Sequence, residues 1–246
     1  MTTGTDHRSR RSVLAWAAGG LAAGSVLGHG FGGVAGADAA LDVQILQTAS
    51  SLEALAIATY AAALGEGPEG PEAPAAKALA AIAAPGARAT VTTFARDARR
   101  RHGEHRKAFQ AQTTALGGKV QDGPHPRFLS LVGAADLTTA VKLVDLAATL
   151  EKVATDTYLL NLSMLQDRRA KEIMAGVMAV TSQHLATIRV LSALLIGGLP
   201  QLMAVPFPLA ALLGMPTAVG SLATPDAFHK VSGPELIAEP TSGAVT

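Results

Sequence analysis

The chain has 246 residues, is 49% hydrophobic but only 4% aromatic, and carries a formal charge of +1 with no cysteine. The near-neutral balance excludes a global basic field for nucleic acid, and the lack of Cys excludes disulfides, thiolate metal sites and an acylated-Cys anchor. The core must then be built from Ala, Leu, Val and Ile, and Ala-rich segments favour helix.

At the N-terminus, Ser9-Arg10-Arg11-Ser12-Val13-Leu14 is a twin-arginine pattern, followed by an uncharged run from Ser12 to Ala37. Ala35-Gly36-Ala37 and Ala37-Asp38-Ala39 both fit a small-residue cleavage site. The run is long enough to span a bilayer, but its glycine content weakens it as a stable span. Residues 1–37 therefore read as a cleaved signal. The expected location is the periplasm, the cell envelope or the exterior, with no stable membrane span after cleavage. The twin-arginine route carries folded proteins, often with a cofactor already loaded, which associates it with metalloproteins.

The first long helix is expected over Leu41 to Leu64, ending in the Gly- and Pro-dense loop Gly65 to Pro74. It carries Glu53 on its apolar face, flanked by Ala49, Ala56 and Ile57. A short Ala-rich helix from Ala75 to Ala84 breaks at Pro85-Gly86. The second long helix is expected over Arg88 to Leu116, stopping at Gly117-Gly118. Its apolar stripe runs Val91, Phe94, Ala95, Ala98, His102, His105, Phe109, so both histidines lie on the core face. Arg96, Arg99, Arg100, Arg101, Arg106 and Lys107 fall mostly opposite that stripe and read as a solvated outer face. No aromatic residues interleave them for base stacking, so no nucleic-acid partner is expected.

After a loop holding Pro124, His125 and Pro126 and a short segment to Gly133, the third long helix is expected over Leu137 to Leu165. It repeats the first. Ala49, Leu52, Glu53, Ala56, Thr59, Tyr60 and Leu64 recur at one fixed offset as Ala147, Leu150, Glu151, Ala154, Thr157, Tyr158 and Leu162. Each copy puts a Tyr two turns after its Glu on the same face. These tyrosines read either as ordinary core-edge residues or as hydrogen-bond donors to the opposite Glu or His.

The fourth long helix, expected over Ala170 to Ile196, has the stripe Met174, Val177, Thr181, His184, Ile188, Leu191. It is apolar enough to suggest a membrane span, but His184 and Arg189 favour a bundle helix. From Leu199 the chain is Pro-interrupted and apolar, then polar. Residues 199–246 read as a wrap against the bundle or as an exposed interaction surface. His125 and His229 read as solvated.

Glu53, His102, His105, Glu151 and His184 are thus five ionisable groups on four facing stripes, and a buried carboxylate needs a partner. Their order, Glu, x-x-His, Glu, x-x-His, resembles the ferritin-like superfamily and is most similar to its exported, desiccation-related branch. The resemblance implies an all-α, ferritin-like four-helix bundle over residues 38–198. It has a long connection between the second and third helices, and a di-iron or di-manganese site built from two Glu and two Glu-x-x-His motifs.

The sequence departs from that pattern. His102-Gly103-Glu104-His105 and Thr181-Ser182-Gln183-His184 lack the Glu of each paired motif, which in the family bridges the metals. Glu104 is no substitute, because it lies about 100° around the helix from His105. A dinuclear centre brings about +4 to +6 of charge, which two carboxylates balance poorly.

Three readings follow. In the first, one ion (Fe, Mn or Zn) is held by Glu53, His102 and His105 or shared with Glu151 and His184. In the second, no metal is bound and Glu and His pair as buried ion pairs. In the third, a dinuclear centre has an unusual ligand set. The first implies oxidation or peroxide chemistry by analogy of fold, and the second a stress-protective or scaffold protein of the envelope. Whether the chain is an enzyme, and whether it pairs with a second copy of itself, the sequence leaves open.

Overall fold

The computed structural model describes residues 34–204, which are all-helical and without a strand. The α-helices are α1 (Val34–Ala63), α2 (Pro74–Ala80), α3 (Pro85–Ala115), α4 (Pro126–Gly133), α5 (Ala140–Met164) and α6 (Arg168–Ile196). Short 3-10 turns cover Gly70–Glu72 and Pro200–Met203.

Local chemistry sets the boundaries. α2 and α3 open on prolines, which are preset for the first helical turn and have no N–H to leave unpaired. α5 begins at Ala140, later than the periodicity predicts, because the Thr139 hydroxyl accepts from Lys142 N–H at 3.3 Å and caps the helix there. Asp167 does the same for α6, accepting from Ala170 N–H at 2.7 Å. α3 ends where Gly117 takes φ +78°, letting Gly118 N–H return to the Thr113 carbonyl at 2.9 Å. α1 (Val34–Ala63) includes both expected cleavage positions.

The four long helices form two hairpins, α1 with α3 and α5 with α6, stacked through α1–α5 and α3–α6 contacts. The connection between α3 and α5 carries α4. Two apolar clusters fill the interior. One joins Leu79, Val91, Leu143, Val144, Ile188 and Leu191. The other joins Ile45, Leu46, Phe109, Tyr158, Leu165 and Met174. Glu53, His102, His105, Glu151 and His184 each lie between their own helix's contributions to the two clusters. A polar layer is therefore sandwiched between two greasy ones.

By length and composition α6 passes for a membrane span, yet Met174, Ile188 and Leu191 are buried in the bundle, as in a core helix. Residues 199–204, where the expected wrap begins, lie on the bundle. Leu202 and Met203 are buried, Thr90 Oγ1 donates to the Met203 carbonyl at 2.6 Å, and a Cβ at Gly86 would stand 2.7 Å from Ala204 Cβ. The twin-arginine pattern, the rest of the wrap and His229 lie outside the described residues.

Candidate metal centre

All five residues singled out by the sequence converge in the polar layer. Glu53, His102, Glu151 and His184 are 1–2% exposed, and the His105 side chain is 12% exposed. The small residues beside the acids, Ala49 on α1 and Ala154 on α5, are themselves buried and let the helices close around a polar centre.

His102 is the hub. Its Nδ1 lies 2.5 Å from Glu53 Oε2 and its Nε2 lies 2.9 Å from Glu151 Oε1, so one imidazole links the two copies of the repeat. His105 Nδ1 is 3.4 Å from Glu53 Oε2, and His184 Nδ1 is 3.3 Å from Glu151 Oε1. Around the hub, the Tyr60 ring stacks on His102 with centroids 5.7 Å apart, and Phe94 meets His184 edge to face at 5.8 Å.

The tyrosines are donors rather than core-edge filler, and they cross over. Tyr60 on α1 donates to Glu151 Oε1 on α5 at 2.7 Å, and Tyr158 on α5 donates to Glu53 Oε1 on α1 at 2.6 Å. Each copy thus orients the other copy's acid. Thr181, at the position where the family has a Glu, is fully buried; its hydroxyl donates to the Met178 carbonyl and accepts from Thr155 Oγ1 at 3.2 Å. Thr155 was not legible as a site neighbour, because its counterpart in the first copy is the apolar Ile57.

Burial opposes charge on Glu53, Glu151 and His102, but mutual attraction outweighs it. Burial pushes Glu151 up, yet His102 and His184 hold it down to about 2. Glu53 is likewise held below the usual carboxylate range by His102 and His105. Burial depresses His102, but Glu53 and Glu151 raise it to about 10. Burial and then the facing carboxylate push both tyrosines well above their ordinary value. Without metal the hub is therefore an imidazolium between two carboxylates.

That arrangement leaves atoms unused. Glu151 Oε2, His105 Nδ1 and both nitrogens of His184 are buried and make no hydrogen bond. Buried polar groups almost always make hydrogen bonds, so nitrogen and oxygen atoms left without one in a single layer fit a metal ion. The ligand atoms fall into two groups, Glu53–His102–His105 and His102–Glu151–His184, each with its atoms within 4.8 Å of one another.

Other expectations resolve simply. Glu104 is exposed and pairs with Arg100 at 2.8 Å, and Arg99 pairs with Glu66, as suits an outer face. His125 is half-buried against Phe128 and its backbone N–H donates to Ser51 Oγ at 2.7 Å, so it is not the solvated loop residue the sequence suggested. A groove of about 530 Å³ between α3 and α6, lined by Asp97, Arg101, Gln183 and Thr187, includes His184 in its wall.

A family model described as a ferritin-like domain matches residues 41–194, from within α1 almost to the end of α6. Comparison with curated proteins and with solved structures returned no match. With the match covering well over half of the 246 residues, and with four long helices closing on a buried Glu/His layer, the chain belongs to the ferritin-like domain family.

Proposed function

We propose that the protein is an exported ferritin-like metalloprotein, of the desiccation-related type, whose bundle holds a transition metal through Glu53, His102, His105, Glu151 and His184. The observation that carries this reading is the set of buried ligand atoms on Glu151, His105 and His184 that make no hydrogen bond. Three imidazoles and two carboxylates suit Fe, Mn or Zn. Bound iron or manganese supplies oxidation or peroxide chemistry. The chain's part is to orient the acids through Tyr60 and Tyr158, to exclude water with two apolar layers, and to offer the α3–α6 groove as a route inward. The twin-arginine pattern supports export after loading.

Elemental analysis of protein purified from its native export route tests this. The expected result is metal bound in the wild type and reduced in His105→Ala and in His184→Ala. A ratio near zero in the wild type, unchanged by those substitutions, overturns it.

A second reading is supported by the hydrogen bonds of His102, which join both acids directly. Here the layer is a structural ion-pair network in a metal-free envelope protein with a stress-protective or scaffold role. Melting curves with and without chelator separate the two, because a ligand that binds only the folded state raises stability by about 2.7 kcal/mol at a hundredfold excess over Kd.

A further inference from the structure

The two ligand groups share one residue, and they share it through different atoms. The Nδ1 side of the His102 ring faces Glu53, and the Nε2 side faces Glu151. Around a tetrahedral ion with metal–ligand bonds of about 2.0–2.1 Å, neighbouring ligand atoms stand about 3.3–3.4 Å apart. The Glu53–His105 separation of 3.4 Å and the Glu151–His184 separation of 3.3 Å already have that spacing. The 2.5 and 2.9 Å contacts to His102 need to open by less than about 1 Å to match it. Each group also has its own carboxylate and its own outer histidine, so neither must borrow a ligand from the other except through the shared ring.

We propose that the centre holds two divalent ions and that His102 bridges them as an imidazolate, one ion on each ring nitrogen, in place of the family's paired carboxylates. This rests on the reading that the layer takes metal at all. Forming a metal–nitrogen bond at each nitrogen sends both N–H protons of the ring to solvent and leaves the ring with one negative charge. Two divalent ions against Glu53, Glu151 and the imidazolate then leave about +1 to be met by solvent-derived anions. The bridge is single-sided. The equivalent position on α6 is Thr181, whose hydroxyl is already engaged with Met178 and Thr155. Imidazole donors take zinc and copper as well as iron, so Zn(II) and Cu(II) serve as probes of the same ligand atoms.

The test uses the full chain stripped with chelator and then titrated with Zn(II) alone, with bound zinc measured after gel filtration. Two zinc ions per chain are expected, and one in each of His105→Ala and His184→Ala. His102→Gln is expected to weaken zinc binding at both positions by at least about tenfold. Cu(II) supplies the readout specific to a bridge. Two copper ions coupled through the ring give an EPR signal well below two spins, whereas each singly loaded variant gives one full spin. If His102→Gln does not fold by circular dichroism, the spin counts of the wild type and the two outer variants carry the test. No zinc in the wild type overturns both this proposal and the metal reading. One zinc at saturation, or two coppers with two full uncoupled spins, overturns the bridge and leaves the metal reading standing.

Discussion

Tyr60 and Tyr158 illustrate what a single side chain contributes here. Each is buried and gives its only proton to the carboxylate of the opposite repeat. Removing such a donor strands a buried anion, and hydrogen bonds to charged groups contribute about 1.5–3 kcal/mol. Tyr60→Phe and Tyr158→Phe should each lower the unfolding free energy by about that amount in urea denaturation of the chelator-treated chain. Loss of the orienting bond should also weaken metal binding by about tenfold or more. Wild-type stability and affinity in both variants would reduce the tyrosines to packing. The sequence exposed these residues through the duplicated Glu-to-Tyr spacing, and it narrowed their role to two alternatives. It did not decide between them, since a hydroxyl's partner lies on another helix.

At the scale of helices, the hairpins are held in register by buried polar clamps as well as by grease. Asp42, 1% exposed near the start of α1, accepts from Gln166 N–H at 2.9 Å and from Asp167 N–H at 2.6 Å. It thereby pins the α5–α6 turn to α1, just ahead of the Asp167 cap. Asp42→Ala leaves two backbone donors unpaired and should destabilise the chain by about 1–3 kcal/mol. Metal content should not change, because Asp42 lies more than two helical turns from Glu53 along α1. A coupled loss of metal would place the clamp in the centre's support and contradict this division. The same scale explains where periodicity fell short. It located all four long helices, but placed the start of α5 at Leu137, because an apolar residue continues the stripe while the Thr139 cap ends the helix.

Across the whole molecule, the polar layer ties stability to pH. The folded-state value of His102 lies above its ordinary 6.5, at about 10. Its contribution is therefore complete below about pH 6.5 and is lost as pH rises through about 10. The Glu151 value lies below its ordinary 4.5, at about 2, so its contribution is complete above about pH 4.5 and is lost as pH falls through about 2. The metal-free chain should show a stability plateau between about pH 4.5 and 6.5 that declines on both sides. Denaturation at fixed ionic strength with chelator present measures it. A stability that climbs steadily from pH 6.5 to 10 would mean that His102 is neutral in the folded chain.

What the chain's own pattern determined is the set of long rods and the azimuth of their polar residues. Helical period, proline and glycine punctuation and a duplicated segment are local properties, and they sufficed to put Glu53, His102, His105, Glu151 and His184 on inward faces. Tertiary structure alone decided which inward atoms meet. Period fixes the direction in which a side chain leaves its helix, but not the axial register between helices joined by a long connection. That register is what turns the two nitrogens of His102 toward different acids and carries each tyrosine across to the other repeat.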